Sequence, residues 1–262
     1  MRRAWRPLVA LQLLVAVPTL ALQIPTQIAS ERQQRETAST LGDPATASDV
    51  TALFTPLLAL FAVALVVGFV YLLGMLAAMR VVAVAATGGS PRIGDALGAA
   101  VRRVPAMAGW YVVAAVLTLV AVLACFLPVF YVGAVLTILP AVVMFERGGA
   151  IPRCFRLFHA DLGAAVARIA TLFGLALVSS MVFGVLSIVV GLALQGTAVL
   201  DTSADVSSGS IVAVGTVTAL LNTVYSVAVG VVGVPLIVAA YADLRARYEP
   251  FTSAALVDSP TA

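Results

Sequence analysis

Three side chains that can exchange a proton or accept hydrogen bonds, Glu146, His159 and Asp161, lie within one stretch, residues 144–169. Four arginines accompany them in this stretch: Arg147, Arg153, Arg156 and Arg168. A guanidinium group stays charged and presents a planar fork of donors that matches carboxylates and phosphates. The stretch is therefore suited to ion pairing and to anion binding. His159 is the only histidine of the chain, so no second histidine can share acid–base catalysis with it.

Motifs for catalysis or metal binding are absent from the sequence. It contains no nucleophile elbow, no zinc-ligand spacing and no glycine-rich phosphate loop. The two cysteines, Cys125 and Cys154, form no CxxC pair and lie near no histidine pattern of a metal site. The net charge of +3 is too small and too scattered for nucleic-acid binding. We therefore expect a protein that is not an enzyme and that has no catalytic residue, cofactor, metal ion or nucleic-acid partner.

Residues 150–163 have the spacing of an amphipathic helix. Four apolar residues recur at steps of four, three and four and share one stripe: Ile151, Phe155, Phe158 and Leu162. Arg153 and Arg156 lie on the opposite side of this predicted helix. A helix that is apolar on one face and cationic on the other suits a membrane surface, whereas an amphipathic connector of a soluble protein is the alternative.

The composition decides between these two interpretations. Hydrophobic residues make up 62% of the chain and charged residues only 10%, whereas soluble domains carry about 25% charged residues. Long apolar runs predict about six transmembrane helices over residues 8–24, 51–79, 105–126, 129–145, 169–195 and 211–241. The fold class is thus an all-α, polytopic membrane helix bundle with a single domain over residues 1–250 and a disordered tail over 251–262.

A second amphipathic helix is predicted over residues 90–104. Its apolar stripe repeats the steps of four, three and four: Ile93, Leu97, Ala100 and Val104. Ser90 and Pro91 have the residue types of an N-cap and of a first helical position. Both interfacial helices are expected on the cytoplasmic side. The polar residues 25–49 between the first two spans are expected to form a solvated loop.

The arginines predict the orientation of the chain. With the N-terminus inside, thirteen of the fifteen arginines lie on the cytoplasmic side, and only Arg32 and Arg35 lie outside. Both termini are then cytoplasmic. The basic start followed by an apolar run also fits a cleaved signal peptide, and the sequence leaves this alternative open. Cys125 and Cys154 are expected at opposite faces of the membrane.

Two segments resemble motifs of a known group of proteins. The first is VVMFERGGAIPRCFRLFHADLGAAVARI, residues 142–169, and the second is YADLRARYE, residues 241–249. They resemble bacterial, often actinobacterial, six-span integral membrane proteins related to the membrane domain of glycerophosphoryl diester phosphodiesterases. The resemblance implies a bacterial inner-membrane protein that lacks the catalytic barrel of those enzymes. Pro250 stands where this group has glycine, and no serine accompanies Arg153 and Arg156.

These features favour a non-catalytic accessory, assembly or lipid-interacting module of the bacterial cytoplasmic membrane, with a membrane protein as a further possible partner. Anionic lipids would be attracted by five arginines of the two amphipathic helices: Arg92, Arg102, Arg103, Arg153 and Arg156. Charges that only set the topology are the competing interpretation.

The alternative function is a transporter or permease-like subunit for a small or lipidic substrate. It depends on a polar stripe in the sixth span, Thr218, Asn222 and Ser226, whose simpler interpretation is helix–helix contact. The apolar cores of the spans carry no ionisable residue of the kind that ion-coupled transport uses.

One structural ion pair is predicted. Glu146 ends the fourth span, and Arg245 follows the sixth span on the same side of the membrane. If these two spans are neighbours, Arg245 can reach Glu146. Arg153 and Arg156 are expected to face away from the bilayer and therefore away from Glu146.

Overall fold

The computed structural model describes residues 5–40, 50–124, 126–195 and 208–250. Within these ranges the chain forms α-helices and no β-strand, which confirms the predicted all-α class. The helices are α1 (Trp5–Thr40), α2 (Val50–Ala86), α3 (Ile93–Ala124), α4 (Phe126–Leu136), α5 (Leu139–Phe145), α6 (Ala150–Ala160), α7 (Leu162–Gln195) and α8 (Ser208–Tyr248).

Six segments are long and apolar enough to cross a membrane. They are Trp5–Leu22, Phe61–Ala86, Ile93–Leu123, Pro128–Phe145, Leu162–Leu194 and Gly215–Tyr248. Each overlaps one of the spans that hydropathy predicts, so the chain is a multi-pass membrane protein. Cys125, residues 41–49 and 196–207, and the tail 251–262, for which the sequence also makes predictions, lie outside the described residues.

Helix α1 is longer than its apolar run. The sequence predicts a loop from residue 25 onward, but the helix continues to Thr40, and this part of the prediction is wrong. A signal for the helix is present in the sequence. Glu31 with Arg35, and Arg32 with Glu36, have the i,i+4 spacing of opposite charges that stabilises helices.

Helix α2 ends in a glycine pair. Gly88 has a φ of +82° and donates its amide to the carbonyl oxygen of Ala85, while the Gly89 amide donates to the carbonyl of Val84 at 3.0 Å. This is the Schellman arrangement, in which a left-handed residue lets the chain close the last helical turn. A β-carbon on Gly89 would lie 2.9 Å from Val84 Cγ1, so both positions require glycine. The predicted turn at this pair is present.

Helix α3 combines two predicted elements. Its first helical hydrogen bond runs from the Ala96 amide to the Arg92 carbonyl, so the helix begins two residues later than Ser90 and Pro91 suggest. The predicted amphipathic segment 90–104 and the predicted span 105–126 are joined in this one helix, Ile93–Ala124, which continues through Pro105. Ala100 and Val104 of the predicted stripe are buried.

The fourth span is divided. Helix α4 ends at Leu136, and α5 begins at Leu139 with Pro140 in its first turn, where the missing amide of proline costs no helical hydrogen bond. All seven residues of α5 are buried.

Helix α6 is shorter than the predicted segment 150–163 because Asp161 starts the next helix. The Asp161 Oδ1 accepts a hydrogen bond of 3.1 Å from the Ala164 amide, as an N-cap does. The buried face of α6 consists of Ala150, Ile151, Cys154, Leu157 and Phe158. It is centred on Cys154 rather than on Phe155, which differs from the predicted stripe by about one residue, and Leu162 is exposed.

Residue contacts divide the chain into two units. The first unit comprises residues 1–13, 72–177 and 228–262 and holds the main core. The largest fully buried side chains of this core include Met79, Met107, Leu157, Tyr241 and Leu244. Gln12 is also buried here. A β-carbon on Gly230 would lie only 2.5 Å from Gln12 Nε2, so glycine at this position leaves the space that the side-chain amide of Gln12 occupies.

The second unit comprises residues 14–71 and 178–227. Large apolar side chains such as Val182, Val185 and Ile188 are exposed in it, as expected for helices whose solvent is lipid. Its described polar contact links α7 to α8: the Ser179 hydroxyl lies 3.4 Å from the Tyr225 hydroxyl. Phe183 stacks on the ring of Tyr225 at 4.3 Å.

Candidate functional site

The C-terminus of α5 places Glu146 at the centre of the charged part of the first unit. Glu146 caps α5 and donates its amide to the Val142 carbonyl at 2.8 Å. Gly148 follows with a φ of +122°, a conformation that side chains rarely adopt, and Gly149 is the N-cap of α6. The short segment 146–149 thus turns the chain so that α6 begins close to the carboxylate that ends α5.

Both carboxylate oxygens of Glu146 are bonded. Its Oε2 accepts a hydrogen bond of 2.7 Å from Arg153 Nε, and its Oε1 accepts one of 2.7 Å from the Tyr241 hydroxyl. Arg245 Nε lies farther away, 3.8 Å from Oε1. The side chains of Glu146 and Arg153 are only 16% and 14% exposed, so this pair is partly shielded from water.

A second carboxylate completes the cluster. Glu249 Oε1 accepts hydrogen bonds of 2.6 Å from Arg153 Nη2 and from Arg245 Nε. Burial alone would raise the pKa of Glu249, but the hydrogen bonds and charges of Arg245 and Arg153 lower it below its ordinary value. The pKa of Arg153 is raised above its ordinary value. Burial alone would lower it, but the hydrogen bonds and charges of Glu146 and Glu249 outweigh the effect of burial. The guanidinium of Arg153 also lies 5.2 Å from the centre of the Tyr248 ring.

More exposed ion pairs extend this cluster along α7 and α8. Arg247 Nη1 donates to Asp161 Oδ2 at 2.7 Å, and Arg168 lies 3.1 Å from Asp243. The amide of Ala164, and then the side chain of Arg247, lower the pKa of Asp161. Exposed pairs of this kind contribute little stability individually. These two pairs join the C-terminal end of α8 to the N-terminal part of α7 and define the register between the two helices there.

Two cavities open beside the cluster. The first has a volume of about 590 Å³ and is bordered by Glu146, Glu249 and five arginines: Arg103, Arg147, Arg153, Arg156 and Arg245. Its apolar wall is formed by Trp110, Val142, Val143 and Phe145. Ala150, the first residue of α6, also lines it, and no side chain caps this helix at Gly149.

The second cavity has a volume of about 650 Å³ and one carboxylate in its lining, Asp95. Five arginines surround it: Arg80, Arg92, Arg102, Arg103 and Arg147. Val81, Val84 and Met144 supply apolar surface. Arg103 and Arg147 line both cavities. The arrangement provides donors and positive charge for an anionic ligand.

The structure brings Glu146 and Arg245 together, but Arg153 is the closer partner of Glu146. The expectation that Arg153 faces away is wrong, because the buried face of α6 is rotated toward Cys154 and carries Arg153 to the carboxylate. Arg153 takes part in two ion pairs, with Glu146 and with Glu249. Of the other four predicted lipid contacts, Arg92, Arg102 and Arg156 are exposed and Arg103 is half-buried.

His159 belongs to an aromatic cluster. Its Nδ1 lies 2.7 Å from the Phe155 carbonyl oxygen, so this nitrogen donates, and its Nε2 lies 2.9 Å from the Tyr131 hydroxyl. The ring of Tyr131 also meets Phe158 edge-on at 5.8 Å. These bonds give His159 a role in joining α4 to α6.

The predicted polar stripe lies in the second unit. Thr218 is exposed, and Asn222 and Ser226 are half-buried. The hydrogen bonds described on this part of α8 come from the neighbouring residues Thr223 and Tyr225. Within the described ranges, no group of three or more His, Cys, Asp and Glu side chains could hold a metal ion.

Sequence reasoning missed Tyr241, Asp243 and Glu249. A signal for them was present: Tyr241, Arg245 and Glu249 are spaced by four, as are Asp243 and Arg247, so two polar stripes run along the end of α8. The cluster also joins the segments 142–169 and 241–249, which sequence analysis singles out separately.

Comparisons with protein families, curated proteins and solved structures find no match to this chain.

Proposed function

We propose that this chain is a non-catalytic accessory module of a bacterial cytoplasmic membrane and that it binds anionic lipid headgroups at its arginine-rich end. The observation that carries the proposal is the second cavity, where five arginines face a single carboxylate, Asp95. An excess of fixed positive charge around a cavity attracts anions and raises their local concentration.

The walls of the cavities favour lipids among anionic ligands. Beside the arginines, apolar residues such as Trp110 and Phe145 line the first cavity, and Val81 and Met144 line the second. A phospholipid has the same mixture, a charged headgroup joined to an apolar body. Because the chain is a multi-pass membrane protein, lipids are also the ligands present at the highest concentration around it.

The bacterial membrane and the orientation belong to the same proposal. They are supported by the arginine asymmetry of the sequence, which favours a cytoplasmic position for both termini and for the cavities. The resemblance of residues 142–169 and 241–249 to bacterial six-span membrane proteins supports the same membrane.

The test is a comparison of lipid retention. The full chain is extracted from membranes that contain equal amounts of phosphatidylglycerol and phosphatidylcholine, and native mass spectrometry counts the lipids that remain bound. We expect phosphatidylglycerol to be retained preferentially. Arg92→Gln and Arg102→Gln, at two exposed positions of the second cavity, should each lower this preference about fivefold, because one arginine near a lipid surface contributes about 1 kcal/mol.

Arg6→Gln is the matched control. Arg6 is exposed and borders neither cavity, so its loss removes the same charge and leaves the preference unchanged. Equal retention of the two lipids by the unmodified protein would overturn the proposal.

A further inference from the structure

Arg103 and Arg147 line both cavities and so form the wall that the two cavities share. The positive charge of Arg147 acts on Arg103, so the two guanidinium groups repel each other. An anion that lies between them relieves this repulsion and receives hydrogen bonds from both. We infer that Arg103 and Arg147 form a clamp for one phosphate group of the bound ligand. The inference rests on the proposed function and names the group that the site recognises.

The two carboxylates that border the first cavity are bonded to other donors. Glu146 binds Arg153 and Tyr241, and Glu249 binds Arg153 and Arg245. The hydrogen bond described for Arg103 goes to the backbone of Glu146: its Nη1 lies 3.5 Å from that carbonyl oxygen, which is long for a hydrogen bond. The guanidinium of Arg103 therefore keeps donors for an incoming ligand.

The donor set favours phosphate over a carboxylate ligand. Each arginine offers a planar fork that can bond two oxygens at once, and a phosphate group has enough oxygens to satisfy forks from two directions. The N-terminus of α6 adds to this preference. Ala150 borders the first cavity, and the positive end of the helix dipole at Gly149 has no side-chain cap.

The two cavities give the remainder of the ligand room on either side of the clamp. Their volumes of about 590 Å³ and about 650 Å³ lie in the range of small-ligand sites. A phosphodiester lipid would direct its headgroup into one cavity and its glycerol into the other. Free inorganic phosphate would occupy the clamp alone.

The experiment measures binding to the full chain in nanodiscs. The disc lipid is a neutral glycolipid, which carries no phosphate that could fill the clamp, and the probes are short-chain phosphatidylglycerol, oleate as a carboxylate anion, and inorganic phosphate. The affinity for phosphatidylglycerol should fall at least about tenfold in Arg103→Gln and in Arg147→Gln, because each substitution removes a charge-assisted contact. Oleate binding should fall by no more than about fivefold, the loss expected from the charge alone.

Arg92→Gln and Arg156→Gln are matched controls. Each of these exposed arginines borders one cavity only, so its loss weakens binding through charge and leaves the clamp intact. Arg103→Lys keeps the charge and loses the fork, so it should still lower the affinity for phosphatidylglycerol, whereas a merely electrostatic role would be rescued by lysine. Thermal unfolding of every variant checks that the fold is retained.

The outcomes separate the clamp from the proposed function. If millimolar inorganic phosphate competes with phosphatidylglycerol for the unmodified protein, and this competition is lost in Arg103→Gln, the clamp is supported with free phosphate as its ligand. If inorganic phosphate does not compete but the tenfold losses of affinity are observed, the clamp is supported with a lipid phosphate as its ligand. If Arg103→Gln and Arg147→Gln behave like Arg92→Gln while the unmodified protein still prefers phosphatidylglycerol, the clamp is overturned and the proposed function stands. If the unmodified protein binds neither phosphatidylglycerol nor inorganic phosphate, both are overturned.

Discussion

The Tyr241 hydroxyl donates a hydrogen bond of 2.7 Å to Glu146 Oε1 and accepts one of 3.0 Å from Arg245 Nη1. The tyrosine oxygen therefore lies between the carboxylate of Glu146 and the guanidinium of Arg245. The ion pair that the sequence predicts between Glu146 and Arg245 is present at 3.8 Å, and Tyr241 bonds both partners. Arg153 binds the other oxygen of the carboxylate.

The first prediction concerns this carboxylate. Glu146→Gln and Arg153→Gln should each lower the free energy of unfolding by roughly 2–3 kcal/mol, because each leaves a partly buried charge without its partner. The double variant should lose little more than either single variant. A double-mutant cycle in detergent measures the coupling, and strictly additive losses would contradict the pairing. The coupling of Glu146 with Arg245 should be weaker and should diminish further in Tyr241→Phe.

The second prediction concerns the turn between α5 and α6. Gly148→Ala should destabilise the protein by about 1–3 kcal/mol, because φ at this residue is +122°. Gly149→Ser is the control, because serine is also a favourable N-cap residue. Its φ of −68° suits any residue, and its β-carbon would meet Pro152 at an ordinary 3.6 Å. Thermal melts of the two variants compare adjacent glycines directly, and equal melting temperatures would show that the turn is not as described.

The third prediction concerns acid stability. The pKa of Asp161 is lowered in the folded state by the Ala164 amide and by Arg247. The ionised carboxylate therefore stabilises the fold above the ordinary pKa of 3.8, and this stabilisation is lost as the pH falls through the pKa of the folded state. Asp161→Asn keeps an N-cap and removes the titration, so its melting temperature should depend less on pH below about 4. Asp161→Ala removes the cap as well and should melt lowest at neutral pH. An unchanged acid profile in Asp161→Asn would count against this origin.

The fourth prediction concerns Cys154. Burial, and then the charge of Glu146, raise the pKa of its thiol to about 12. In a Cys125→Ser background we expect no alkylation of Cys154 at neutral pH by permeant or impermeant reagents, and full alkylation in denaturing detergent. Because the folded pKa is raised, stability is fully present below the unfolded value near 9 and falls as the pH rises toward 12. Rapid labelling of the folded protein would contradict this burial. Protection of Cys154 therefore cannot report on the side of the membrane.

The fifth prediction tests the orientation by other means. Reporter fusions after Gly89, Gly149 and Tyr248 should report a cytoplasmic position, and fusions after Asp43 and Ala204 an external one, because the arginines follow this pattern. An external signal at Gly149 would overturn the orientation.

The membrane spans were predictable because lipid requires long apolar runs, and hydropathy detects these without knowledge of the packing. The phase of α6 was not predictable in this way. Its predicted stripe is regular in the sequence, but the buried face keeps only Ile151 and Phe158 of it and extends through Cys154 and Leu157 toward the side that carries Arg153. A shift of one residue on a helix changes the partners of every charged side chain on it.

The charged cluster was predictable only in part for the same reason. Glu146 and Arg245 were recognisable because both end apolar segments on one side of the membrane. Tyr241 was missed because its spacing of four from Arg245 and Glu249 places the three residues on one stripe but does not show that the tyrosine hydroxyl bonds a carboxylate of another helix. The start of α3 was missed because Ser90 and Pro91 have the residue types of a helix start, whereas Arg92 provides the first helical carbonyl.

The ion pairs between the end of α8 and earlier segments have a consequence for biosynthesis. Asp243, Arg245, Arg247 and Glu249 leave the ribosome after their partners Arg168, Glu146, Asp161 and Arg153. A nascent chain that has inserted its first five spans can pair Glu146 with Arg153, but Arg168 and Asp161 still lack the ion pairs described for them. Completion of the final helix is thus the step that allows these ion pairs to form. We therefore expect a chain truncated before residue 241 to unfold more easily than the full chain, because these ion pairs cannot form in it.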